Sequence, residues 1–127
     1  MNYQKGFIAL TSAVIISAVL LATVVSGSLA GFYARSNVLN AEFKARSAAA
    51  AEACADYALL RLAASPGWGG EDTLALDGAE CRVGPVSGED IKTFAVQATS
   101  SSAVTNLYLT FDYATFEISV WEEVAVF

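Results

Sequence analysis

Apolar residues are distributed along this chain in three ways. From Phe7 to Val25 (FIALTSAVIISAVLLATVV) they run for nineteen residues without a charge, and the next charge is Arg35. At 1.5 Å per residue such a run covers about 30 Å as a helix, the thickness of the hydrocarbon core of a bilayer. Thr11, Ser12, Ser17 and Thr23 interrupt it, and in a helix each hydroxyl can bond a carbonyl one turn back. Gly27 and Gly31 follow. Each costs about 1 kcal/mol relative to Ala in a helix, so the chain is expected to bend or melt most easily there.

From Arg35 to Ala64 the pattern turns amphipathic, in a stretch rich in Ala, Leu, Glu, Lys and Arg without Gly or Pro. Phe43, Ala50, Cys54, Ala58 and Leu62 share one stripe at three-, four- or seven-residue steps, while Glu42, Lys44, Glu52 and Asp56 lie off it. Ser65-Pro66-Gly67 supplies the stop. One helix from about Phe7 to Ala64 would be roughly 85–90 Å long. Its first half must then be covered by lipid or by other subunits.

The third pattern is alternation. Leu74-Ala75-Leu76 and Cys81-Arg82-Val83 flank Asp77-Gly78, a hairpin signal, and further strands are predicted over residues 92–99, 104–113 and 116–124. Leu107, Leu109 and Phe111 form one apolar face; in the last strand Phe116, Ile118, Val120 and Glu122 are expected on one face, with Glu117, Ser119 and Trp121 on the other. One apolar face implies an antiparallel sheet covered on one side, with the amphipathic helix as its cover. The expected fold class is α+β: a long N-terminal helix packed against a small antiparallel β-sheet. Its divisions are residues 1–6 before the apolar run, a membrane or assembly helix over 7–34, an amphipathic half over 35–64 and a sheet head over 65–127.

Composition narrows the function. Of the 127 residues 55% are hydrophobic, against about 45–50% for apolar residues with Gly in soluble domains. There is no His, which removes the usual Ser-His and Cys-His pairs and the commonest zinc sets. No enzyme activity and no cofactor are expected. The formal net charge is −6, and seven basic residues are scattered along the chain, so no nucleic-acid partner is expected either. From Ser65 onward ten carboxylates face only Arg82 and Lys92; an acidic head is either a solvated surface or a contact for a basic partner.

The N-terminus admits three readings. Ser28-Leu29-Ala30 has the small-x-small pattern of a secretory signal peptidase site, and the apolar run alone suits an uncleaved anchor. The third rests on Gln4-Lys5-Gly6-Phe7-Ile8-Ala9-Leu10, which resembles the processing site of class III signal peptides, as in type IV pilins and the pseudopilins of type II secretion. Those proteins have a short charged leader ending in Gly, then Phe, then an apolar helix continuing into an amphipathic half, then a small sheet head. The architectural resemblance covers the whole chain, the motif only its first thirty or so residues; Ala49 to Ala53 (AAAEA) also resembles the helix of minor pilins. It implies residues 1–6 as a prepilin leader, cleavage between Gly6 and Phe7 by a prepilin peptidase, N-methylation of Phe7, and assembly with other pilin or pseudopilin subunits. One departure bears on the role: the fifth mature residue, nearly always Glu in major pilins, is Thr11 here. In the family a residue other than Glu at this place is typical of certain minor pilins and of the pseudopilin at the filament tip.

The expected function is therefore a minor or tip subunit of a type IV pilus or type II secretion pseudopilus. Such a subunit is held in the inner (cytoplasmic) membrane by a single pass with an extracytoplasmic head, and reaches the cell surface in a filament. The alternative is a membrane-anchored or secreted β-domain that binds alone. Cys54 on the helix stripe and Cys81 in the first hairpin come together if the sheet folds onto the helix, and a bridge is expected; two buried free thiols are the other reading. Gly70-Glu71-Asp72 and Gly88-Glu89-Asp90 repeat an acidic loop, so Glu71, Asp72, Glu89 and Asp90 are weak calcium candidates without EF-hand spacing. Glu122 and Glu123 are neighbours on a strand and should point to opposite faces.

Overall fold

The computed structural model describes residues 3–127, with side chains from residue 6 onward; Met1 and Asn2 of the expected leader lie outside the described residues. Helix α1 spans Tyr3–Ala64 and is followed by strands β1 (Thr73–Leu76), β2 (Ala79–Val83), β3 (Ile91–Ser100), β4 (Ala103–Asp112) and β5 (Ile118–Val124). The chain divides into two units, one ending at Leu39 and the other Asn40–Phe127.

In the first unit the helix already includes Tyr3 and continues through Gly27 and Gly31 without a break. The expected weak point is therefore absent as a structural interruption. Two glycines cost about 2 kcal/mol, spread over a helix in which every neighbouring residue propagates at little cost.

In the second unit the five strands form an antiparallel meander in sequence order β1-β2-β3-β4-β5. The α+β class is as expected. Asp77-Gly78 closes the first hairpin, with Gly78 at φ 73°, a left-handed conformation that costs Gly nothing. The next long hairpin pairs β3 with β4 from Ile91↔Asp112 to Ser100↔Ala103. After β4 the Asp112 carboxylate accepts hydrogen bonds from the Ala114 and Thr115 amides at 2.8 and 3.2 Å, an Asx turn that reverses the chain.

The core lies between the second half of α1 and one sheet face. Ser47, Ala50, Ala51, Cys54, Ala55, Ala58 and Leu62 are buried on the helix; Cys81, Val83, Phe94, Val96, Ala98, Leu107, Leu109 and Phe111 are buried on the sheet. Alanines on the helix allow a close approach, and large side chains from the sheet fill the space. Phe94 and Phe111 meet edge to face with centroids 6.2 Å apart, a favoured aromatic arrangement. Among the described residues no buried side-chain nitrogen or oxygen lacks a partner.

Strand β5 departs from expectation. Its register puts Glu123 opposite Leu107, Trp121 opposite Leu109 and Val120 opposite Thr110, then shifts by one so that Ile118 pairs with Phe111. Directly paired residues share a face, so Trp121 and Glu123 belong to the helix-covered face with Leu107 and Leu109, and Val120 and Glu122 to the other. The predicted assignment of Val120 and Glu122 to the apolar face is corrected by this register. Ser119 is the extra residue of a β-bulge that returns Ile118 to the core side. Simple alternation cannot reveal such a slip, because one inserted residue inverts the pattern on one side of it. Phe116, Ile118 and Trp121 stay about 40% exposed, so β5 is an open edge and not a covered core strand.

Candidate functional site

The first candidate is the apolar segment itself. Phe7, Leu10, Leu20 and Val24 are 70, 67, 59 and 70% exposed, and the neighbouring Ile, Leu and Val side chains are similarly uncovered. The segment is apolar around its whole circumference, and among the described residues none of its most apolar stretch is buried. An exposed apolar patch of this size marks a surface that meets protein or membrane. The helix is long and apolar enough to make a single membrane span.

Its hydroxyls suit that environment. Thr11 Oγ1 donates to the carbonyls of Phe7 and Ile8, each at 3.0 Å, Ser12 to Ala9 at 2.9 Å, Ser17 to Ala13 at 2.7 Å, Thr23 to Leu20 at 2.8 Å and Ser26 to Ala22 at 2.8 Å. Each donor is satisfied within the helix, so transfer into hydrocarbon strands none of them. Gly6 and Phe7, the cleavage candidates, are adjacent and exposed on the helix, and Thr11 sits one turn on with its hydroxyl engaged by the Phe7 carbonyl. A Glu there would be a carboxylate in an apolar surface; Thr11 brings no charge.

The second candidate is the head. Cys54 and Cys81 form a disulfide between helix and β2, with Cα atoms 6.2 Å apart and a sequence separation of 27. Both are buried, so the bridge joins the two layers at the core. The four calcium candidates do not converge: among the described residues no group of three or more His, Cys, Asp or Glu is placed to hold a metal ion. Asp72 is engaged instead, accepting the Tyr57 hydroxyl at 2.8 Å and its neighbour's Thr73 amide at 3.0 Å.

That hydrogen bond raises the Tyr57 pKa above its ordinary 10.0, because Asp72 accepts the proton that ionisation would remove; desolvation adds to the shift and the Arg61 charge opposes it. A raised folded-state value means that the bond stabilises the fold below about pH 10 and that this contribution is lost as pH rises through the raised value. We expect one tyrosine to ionise later than in Asp72→Asn when absorbance at 295 nm is followed with pH. Superimposable titrations in the two proteins would remove the assignment.

Two further arrangements were not legible in the sequence. Lys44 Nζ pairs with Glu123 and also donates to Val104 O at 3.1 Å and Thr105 Oγ1 at 2.9 Å. Ser47 Oγ donates to Lys44 O at 2.9 Å, so in its 2.7 Å contact with Thr105 Oγ1 it accepts. This chain of bonds ties the helix to β4 and β5, and it places Glu123 on the helix side while Glu122 pairs opposite Tyr108. The two carboxylates thus point apart, as expected of strand neighbours. On the other sheet face a hollow of about 420 Å³ is lined by Gly84, Pro85, Ser87, Thr93, Phe94, Ala95, Tyr108 and Phe127. No carboxylate, amine or thiol side chain lines it.

Comparison with protein-family models, with curated proteins and with solved structures finds no match to this chain. Its functional reading therefore rests on the apolar helix, the stapled head and the N-terminal motif.

Proposed function

We propose that this chain is a non-catalytic subunit of a type IV pilus or type II secretion pseudopilus, held in the membrane before assembly and present in the filament as a minor or tip component. The observation that carries the reading is an uncovered apolar helix, internally satisfied in its hydroxyls, leading without a break into a half on which a disulfide-stapled sheet is packed. Lipid tails and Leu or Val side chains are similarly apolar, so exchanging lipid for neighbouring helices costs little, and small residues such as Ala9, Ala13, Gly27 and Gly31 let helices approach.

In this reading a prepilin peptidase hydrolyses the Gly6–Phe7 peptide bond, and methylation then caps the new amine of Phe7. Thr11 carries no charge to pair with a neighbour's terminal amine, which supports a sparse or terminal position over a self-propagating one. The head faces outward from the cytoplasmic membrane, where its disulfide persists.

Mass spectrometry of the mature N-terminus from cells with an active prepilin peptidase tests the reading. A chain beginning at N-methylated Phe7, and retaining Met1 when the peptidase is inactivated, is the expected result. A chain beginning at Met1 in both would make this an anchored β-domain, and one beginning at Gly31 a secreted domain. Abundance in sheared filaments tests the second half: a trace component is expected, and a dominant one would overturn the role drawn from Thr11.

A further inference from the structure

Most cations of the head unit are paired or stacked within it: Lys44 with Glu123, Arg46 with Glu42, and Arg82 over the Phe127 ring. Arg61 and Lys92, like Arg82, rest on aromatic rings, but these two border one turn. They flank the Ser65–Trp68 turn that ends the helix, and among the described residues neither forms an ion pair, although the head is rich in carboxylates.

Aromatic rings hold them instead. The Arg61 guanidinium lies 5.8 Å from the Tyr57 ring centroid and 5.9 Å from that of Trp68, and those two rings meet edge to face at 6.3 Å. Tyr57 is itself fixed by its bond to Asp72. On the other side of the turn Lys92 Nζ stands 5.1 Å from the Tyr113 ring centroid and 3.5 Å from Pro66 O, while the Tyr113 hydroxyl reaches Leu62 O at 3.4 Å. Phe116 packs against Tyr113 in a tilted contact with centroids 5.5 Å apart, is 40% exposed and has φ 55°. A bulky residue at positive φ costs free energy that surrounding contacts must offset.

We propose that this rim, built from Arg61, Tyr57, Trp68, Lys92, Tyr113 and Phe116, is a docking surface for an acidic protein segment that presents a carboxylate beside an apolar side chain. A guanidinium stacked on rings loses little further rotamer freedom on binding and offers its donor fork to a carboxylate. Trp, Tyr and Arg are the residue types that dominate binding energy at protein interfaces. Charge complementarity also selects the class of partner. Asp72 and Asp90, which precede β1 and β3, and Asp112 at the end of β4 lie around the rim and the chain is net negative, so an extended polyanion such as nucleic acid or an anionic membrane is repelled over most of its length. A single carboxylate on a short segment meets the two cations locally. The proposal does not depend on assembly into a filament, since the rim is complete in one chain.

The full-length protein in neutral detergent, labelled with 5-fluorotryptophan, supplies the test. Its two tryptophans, Trp68 and Trp121, give two fluorine resonances, assigned with Trp121→Phe. The probe is a short soluble peptide carrying one Glu beside a Leu in an otherwise uncharged sequence, compared with the same peptide carrying Gln for Glu, with a single-stranded oligonucleotide and with phosphatidylglycerol vesicles. The Glu peptide is expected to shift the Trp68 resonance and not that of Trp121, at least tenfold more weakly in Arg61→Gln and with a marked loss in salt. Lys92→Gln should weaken it further. Circular dichroism melts of both variants separate a lost contact from lost folding, as Arg61 also sits in the negative last turn of the helix. Equal response to the Gln peptide, no response to the Glu peptide at millimolar concentration, indifference to Arg61→Gln in a folded protein, or tighter binding of oligonucleotide or vesicle would each overturn the proposal.

Discussion

Replacing Cys54 and Cys81 together by alanine is expected to lower the thermal midpoint of the head by roughly 15–25 °C. The bridge closes a loop with 27 residues of separation, and on the chain-entropy model such a cross-link restricts the unfolded chain by about 3.5 kcal/mol. For a domain of this size each kcal/mol moves the midpoint by about 4–8 °C. The substitution isolates the cross-link because its packing term is small. Cys54 lies among Ala50, Ala51, Ala55 and Ala58 on a stripe that already accepts alanine, and only one sulfur atom is lost at each site. The measurement is a circular dichroism melt of the full-length chain in detergent, for wild type, reduced wild type and the double variant. Reduced wild type and variant should agree. A midpoint within a few degrees of the oxidised protein would mean that the layers hold without the bridge, and that the Phe94, Phe111 and Leu62 packing carries the stability.

Leu20→Arg should release the protein from the membrane, with Leu20→Ala as a neutral control. Leu20 stands within the apolar segment and is 59% exposed on the helix surface, so most of its side chain is left uncovered. A guanidinium at the centre of a span costs about 2.5–3.5 kcal/mol relative to a few tenths of favourable free energy for Leu. That difference changes the partition by on the order of a hundredfold. Flotation of membranes after carbonate extraction reads it directly: wild type and Leu20→Ala float, and Leu20→Arg is lost to the soluble or degraded fraction. If the Arg variant floats like wild type, the segment is covered by something other than hydrocarbon at that depth. If the proposed assembly holds, the same surface contacts neighbouring helices, and the variant should also fail to enter sheared filaments, whereas the disulfide variant fails only above its lowered midpoint.

The contrast between strands shows how far alternation can be read. Leu107, Leu109 and Phe111 were legible as one face because β4 is regular, has partners on both sides, and buries every second residue. In β5 the same rule fails at Ser119, since a bulge leaves no compositional trace and an edge strand is not obliged to bury either face. The cysteines were legible for the opposite reason: one sat on a helical stripe and the other in a hairpin signal, so a sheet folding onto that stripe could bring them close, as it does. Glu71, Asp72, Glu89 and Asp90 looked alike in sequence, but only their surroundings distinguish them, and those place Asp72 on the Tyr57 hydroxyl.

The sequence by itself determined where lipid-like surface begins and ends, where the helix stops, and that a half-buried antiparallel sheet follows. Those features depend on local run length, period and turn chemistry, which neighbouring residues settle among themselves. Only the tertiary structure decided which cations are neutralised and which stand on aromatic rings. Lys44 meets Glu123 across 79 residues, while Lys92 of β3 meets the Tyr113 ring beyond the end of β4. Such pairings arise from the register of β5 and the seating of the helix on the sheet, long-range consequences of packing that no local pattern encodes.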